Sequence, residues 1–220
     1  IGSCQFSLHY FFENRDTLQG FLRNVSECIK EGGYFIGTCY DGKRIFDSLK
    51  DKKRGDSCCI VKDGDEKIWE IVKEYEKETF ENNDTSLGYA INVYQDSINK
   101  YFREYLVNFD YFVRVMENYG FKPLSVTEAK EIGLPNGIGN FKQLYNDKIK
   151  MNYNEKKISF FNNYFVFKKV NNANAELVKL SLSDESNFEI KLNIKEDEKI
   201  RSKPKKKKLK LVLKEPKVDP

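Results

Sequence analysis

The chain has 220 residues, 40% of them apolar and 33% charged, with 17 Phe and 13 Tyr. That supplies a core for one substantial domain and argues against a chain disordered throughout. A net charge of +4 is mildly basic; it permits a polyanionic partner without demanding one.

The first stretch, Cys4-Gln5-Phe6-Ser7-Leu8-His9-Tyr10-Phe11-Phe12-Glu13, holds the only histidine of the sequence among aromatic residues. Its pattern predicts a strand end running into a loop over 4–10. Asn14 or Asp16 then caps a helix, Asp16 and Gln19 having capping-box spacing. Leu18, Phe21, Leu22, Val25 and Ile29 form one apolar helical face. Gly32-Gly33 is read as the helix stop, and 34–40 as a buried strand. Ile45 to Leu49 predicts a short helix. Cys58 to Val61 and Ile68 to Val72, around the turn Asp63-Gly64-Asp65, predict a hairpin. Tyr89 to Tyr94 reads as a further strand.

Glu104 to Tyr119 reads as a second strong helix, with Leu106, Phe109, Val113 and Met116 on one face. Gly120 ends it, and 121–126 and the aromatic-rich 158–170 are expected strands. Helix, strand and long last strand close an open α/β sheet. We divide the chain into a domain over 1–170 and a linker with a disordered basic tail over 171–220. Within the latter, 188–194 is a weak strand candidate. The run Lys203-Pro204-Lys205-Lys206-Lys207-Lys208 reads equally as an RNA-binding patch, a nuclear address or a solvated tail.

The five cysteines, at 4, 28, 39, 58 and 59, contain no CxxC pair. With one histidine, they argue against a zinc site, give no disulfide framework and suggest a reducing, intracellular compartment. No apolar run approaches a membrane span, and the N-terminus lacks a signal peptide's features. There is no nucleophile elbow and no Walker motif. Gly137-Ile138-Gly139-Asn140-Phe141-Lys142 begins like a dinucleotide fingerprint but has Lys at the third glycine position, so it reads as a loop. On local residues alone, His9 beside aromatics is either a packing residue or a ligand group near a strand's carboxyl end. Glu104 is either a first-turn carboxylate favoured by a helix dipole or an acceptor for the paired donors of a guanine edge.

Taken together, the opening stretch, Leu22-Arg23-Asn24-Val25-Ser26, Gly32-Gly33-Tyr34-Phe35-Ile36-Gly37-Thr38, Glu104-Tyr105-Leu106-Val107 and Tyr164-Phe165-Val166-Phe167-Lys168-Lys169 resemble the mRNA cap guanine-N7 methyltransferases. The wording looks closest to the methyltransferase domains of capping enzymes from large DNA viruses. The resemblance covers residues 1–170 and implies the C-terminal half of a Rossmann-like, S-adenosylmethionine-dependent methyltransferase fold. It implies methyl transfer to N7 of the cap guanine, with S-adenosylmethionine as cofactor, the capped mRNA 5′ end as partner, no metal and no membrane. It implies His9, Tyr10 and Glu104 around the guanine and Gln5 and Tyr10 beside the donor. The family's aromatic near the last strand falls here at Phe161 or Asn162. The family's glycine-rich donor loop is expected upstream, so we expect a fragment, inactive alone. Guanylyltransferase and triphosphatase domains are expected on the same polypeptide, in host cytoplasm or nucleus. The alternatives are a non-catalytic RNA-binding or scaffold module and a methyltransferase of the same fold with another acceptor.

Overall fold

The computed structural model describes residues 1–174 except Asp147, together with Val178. The expected strand at 188–194 and the basic tail lie outside the described residues.

The chain opens with strand β1 (Gly2–Gln5), a 3-10 turn (Leu8–Phe12) and helix α1 (Arg15–Cys28). Of the two candidate caps, Asn14 takes the role: its side chain accepts from Thr17 N, leaving Asp16 in the first turn. Leu18, Leu22 and Ile29 are buried as their spacing requires. The glycines, however, do not stop the helix. It ends at Cys28 with Ile29 extended, and Gly32, at φ +76°, serves the turn into β2 (Tyr34–Tyr40). The earlier stop has a cause in the tertiary structure: the Lys169 ammonium takes up the carbonyls of Ser26 and Ile29.

Helix α2 (Gly42–Ser48) follows, then the strands β3 (Ser57–Asp63), β4 (Glu66–Lys73), β5 (Ala90–Gln95) and β6 (Lys100–Tyr105). These four form an antiparallel sheet in chain order. The strand β6 corrects the reading of Glu104 to Tyr119 as one helix. Leu106 does fall at helical spacing with Phe109, but it packs in a different cluster, beside Trp69 and Ile91. Residues 100–105 instead pair with β5, Glu104 lying opposite Ile91. Helix α3 begins only at Phe109 (Phe109–Asn118), where Asn108 caps it through Tyr111 N.

The chain finishes with β7 (Phe121–Pro123), α4 (Val126–Glu131), β8 (Ile138–Asn140), α5 (Tyr153–Ser159) and β9 (Asn162–Lys169). Two expected strands are therefore shorter than read. Ser125 and Glu128 make a capping box that starts α4, and Asn152 and Glu155 make another that draws 153–159 into α5. The stretch 137–142, read as a loop, is instead strand β8 running into a 3-10 turn (Phe141–Gln143), because 138–140 pair with β9.

The central sheet runs β1-β2-β9-β7, with β8 also on β9. β1 and β2 are parallel, and β9 is antiparallel to its neighbours. This is the open α/β class expected from the sequence. Phe112, Val115 and Met116 of α3 join Leu18 and Leu22 of α1 over Phe35, Phe165 and Phe167 of the sheet. Each such buried ring or branched chain contributes about 2 kcal/mol. Gly37 lies where β1 and Phe165 approach: a Cβ there would sit 2.2 Å from Cys4 O and 2.3 Å from Phe165 Cζ. The second cluster, around Trp69, Ile71, Tyr89 and Ile91, fastens the antiparallel sheet to α2.

Candidate active site

A cavity of about 600 Å³ opens where the ends of β1, β2 and β9 meet β5 and β6, and His9, Tyr10 and Glu104 all face it. The local chain explains how His9 arrives there. After β1, Phe6 N still bonds Thr38 O at 2.8 Å, but Phe6 itself takes φ +49°, a left-handed conformation that costs a residue with a Cβ about 1 kcal/mol. The chain thus breaks from the sheet into the 3-10 turn Leu8–Phe12. Leu8 and Phe12 face the core, and His9 is left against the cavity. Tyr10 packs edge-on to the imidazole, ring centroids 4.2 Å apart, and keeps much of its own ring exposed. Glu104 reaches the same space from β6.

His9 is 5% exposed and Glu104 6%. Their nearest atoms, Nδ1 and Oε2, lie 3.7 Å apart, too far for a hydrogen bond. Neither ring nitrogen nor Glu104 Oε2 has another partner. Burial lowers the imidazole to about 4 and raises the carboxyl to about 7. Near neutral pH the pair is therefore a neutral imidazole beside a half-titrated carboxyl, with neither group compensating the other. Buried polar groups in native proteins nearly always have partners, and leaving one without costs about 1–3 kcal/mol. Unpartnered atoms facing a cavity are what a polar ligand would satisfy.

Gln5 is not brought into this cavity. It stands exposed at the end of β1, donating to Ser3 Oγ at 3.0 Å and accepting from Thr38 Oγ1 at 2.8 Å. It lines a separate groove of about 550 Å³ with Ile36 and Thr38. The structure adds residues that sequence reasoning missed. Tyr40 lines the cavity from the carboxyl end of β2, a position where ligands gather in open α/β sheets. Its hydroxyl accepts from Trp69 Nε1 at 3.0 Å, and burial pushes its pKa up to about 12. Phe102 and Gln95 contribute from β6 and β5; no signal for Phe102 survived once 104–119 was read as helix. Of the two positions weighed for a last-strand aromatic, Asn162 lines the cavity, while Phe161 packs on Trp69 with centroids 5.4 Å apart.

Other chemistry is poorly supplied. Burial raises the thiols of Cys4 and Cys39, which disfavours the nucleophilic thiolate. Among the described residues no cluster of His, Cys, Asp and Glu is arranged to hold a metal ion, and no helix is long and apolar enough to cross a membrane. A larger cavity of about 670 Å³ lies beside α2 and α3, but its Asp41 and Asn108 are spent capping those helices.

A family model described as the mRNA (guanine-N(7))-methyltransferase domain matches residues 1–170. The chain is 33% identical to a probable mRNA-capping enzyme of Acanthamoeba polyphaga mimivirus over 109 residues, 48% of this chain and 9% of that protein. It is 44% identical to the mRNA cap guanine-N(7) methyltransferase of Drosophila melanogaster over 48 residues, 22% of this chain and 11% of the relative. A solved S-adenosylmethionine-dependent methyltransferase from Clostridium acetobutylicum overlays at a TM-score of 0.38 with 15% identity, covering 76% of this chain and 56% of that one. The matches span only 9% and 11% of the two curated relatives' own lengths.

Proposed function

The chain belongs to the mRNA (guanine-N(7))-methyltransferase domain family, and from that membership we propose that it serves methyl transfer from S-adenosylmethionine to N7 of the guanine capping an mRNA 5′ end. The observation that carries this reading is the pair His9 and Glu104, buried, unpartnered and facing one cavity. Guanine presents N1–H and N2–H side by side, and an ionised Glu104 would accept both. O6 lies next to N1–H, and a neutral His9 would donate to it. Tyr10 would flank the base as a ring surface.

The donor supplies a methyl group already activated on a sulfonium. Gln5 and Tyr10 suit its neighbourhood: both are exposed polar side chains, Gln5 the last residue of β1 and Tyr10 in the turn that follows, near the carboxyl end of the strand where open α/β sheets take ligands. Guanine N7 carries a lone pair and no proton, so the residues have no base catalysis to perform. Their task is to fix the base, orient N7 and exclude water, which alone accounts for a large part of such a barrier. No positive side chain is needed beside the base, which gains positive charge as N7 is alkylated; Glu104 favours that change.

The capped mRNA 5′ end is the proposed partner. We propose that the domain works beside guanylyltransferase and triphosphatase domains of one polypeptide, a reading supported by similarity to a protein named a probable mRNA-capping enzyme, and we propose host cytoplasm or nucleus as its place of action. Transfer of labelled methyl to GpppG-capped RNA by the full-length protein tests the reaction. Glu104→Ala is expected to lower kcat/KM about 10³-fold, from the loss of two charge-assisted hydrogen bonds. Unchanged transfer in that variant rejects the Glu104 assignment. Capped-RNA binding without transfer by the wild type favours a binding module instead.

A further inference from the structure

His9 and Glu104 do not exhaust the polar groups of the cavity. Asn162 opens β9 directly across from Tyr40 of β2, and both line the cavity. The Asn162 side chain is 5% exposed. Its Nδ2 donates to the carbonyls of Ile158 at 3.4 Å and Ser159 at 3.2 Å, at the end of α5. The nitrogen is thereby committed to the helix, which fixes the orientation of the amide. The other end, Oδ1, is buried and accepts no hydrogen bond. Among the described residues, the buried unpartnered side-chain atoms on the walls of this cavity belong to His9, Glu104 and Asn162.

Resting on the guanine reading above, we infer that Asn162 Oδ1 accepts a hydrogen bond from the exocyclic 2-amino group of the bound base. The donors and acceptors then match in number. Guanine carries one hydrogen on N1 and two on N2. A carboxylate holding the edge takes N1–H and the nearer N2–H. The second N2–H is left facing the cavity wall and calls for an acceptor of its own. Asn162 Oδ1 is the acceptor without a donor. Asn162 is therefore a specificity-determining residue, reading the far side of the amine while Glu104 reads the near side. A base with no 2-amino group leaves Oδ1 bare and also takes from Glu104 the nearer N2–H, whereas a base with only the far hydrogen replaced meets Oδ1 as a steric block and leaves Glu104 both of its donors.

The test compares kcat/KM of the full-length protein on GpppA, which has a single guanine, with that on the same dinucleotide carrying N2-methylguanosine in its place. One amino hydrogen remains on that base, enough for Glu104 but not for both residues. Wild-type protein is expected to use the N2-methyl cap at least about 10-fold less efficiently. Asn162→Ala removes the acceptor and opens room for a methyl, and should bring the two caps within about twofold of each other. The ratio is taken within each protein, so any damage to the end of α5 lowers both numbers and cancels. Equal use of both caps by the wild type overturns the inference, because it leaves Oδ1 to a water. So does an Asn162→Ala variant that keeps the wild-type ratio. Wild-type protein that methylates neither cap rejects the cap reaction itself, a separate failure.

Discussion

Strand β9 carries a buried polar side chain at each end, and the two ends are treated in opposite ways. At the far end Lys169 is 4% exposed. Its ammonium donates to Ser26 O at 2.5 Å and Ile29 O at 2.8 Å and stands 5.9 Å from the Phe121 ring centre. It closes the last turn of α1 with a positive charge where the helix dipole favours one. At the near end Asn162, with His9 and Glu104, leaves buried atoms without partners. Burial is equal at the two ends; satisfaction is not. Where every donor and acceptor is used within the chain, the group holds the fold. Where they are left over beside a cavity, folding stability has been forgone and a ligand is the natural recipient.

Substitutions at the two ends should therefore separate stability from activity. Lys169→Met strands two buried carbonyls and is expected to cost about 3 kcal/mol, a Tm fall of roughly 6–12 °C for a domain of this size. Activity per folded molecule should not change; a matching loss of kcat in the folded fraction would erase the contrast. Glu104→Gln should do the reverse. It is expected to lower kcat/KM about 100-fold, since an amide presents one acceptor where the carboxylate presents two, and Tm measured at pH 8 should stay level or rise.

The contrast also has a pH signature. Burial puts the Glu104 carboxyl at about 7, while the base edge requires its ionised form. In the free protein kcat/KM should fall about tenfold per pH unit below 7, and Glu104→Gln should abolish that limb. Stability moves the other way. The raised carboxyl adds stability that is whole below its ordinary value of 4.5 and is lost as pH rises through about 7. His9, lowered from 6.5 to about 4, adds stability that is whole above 6.5 and is lost as pH falls through about 4. Thermal melts of wild type and Glu104→Gln should diverge between pH 5 and 8, and superimposable curves would remove Glu104 from the account. The smallest effect belongs to the exposed end of α1, where Asn14→Ala should cost about 1 kcal/mol and leave methyl transfer unchanged. A cap of that kind competes with water; Lys169 does not.

The helix face of Leu18, Leu22 and Ile29, the strand Tyr34–Tyr40 and the hairpin Ser57–Lys73 were legible in residue order, because period and turn chemistry are local. Glu104 was singled out from resemblance while its setting was misread. Helical spacing through Leu106 hid β6, and with it Phe102. Pairing across β5 decides that segment, and no local window contains it. The start of β9 was missed for a different reason: a local signal, the capping box of Asn152 and Glu155, wins Tyr153–Ser159 for α5 against the strand preference of its aromatic neighbours.

By itself the sequence determined the α/β class, the family resemblance over 1–170 and the prominence of His9, Tyr10 and Glu104, since composition, periodicity and motif order are properties of the chain. Only the tertiary structure decided that His9 and Glu104 share one cavity, that Gln5 stands outside it, and that Asn162 completes its polar wall while Lys169 closes a helix. Which polar atoms find partners depends on what the fold brings together from distant parts of the chain: Lys169 bonds the Ser26 carbonyl, His9 and Glu104 meet at one cavity without bonding, and Asn162 stands opposite Tyr40 across the sheet.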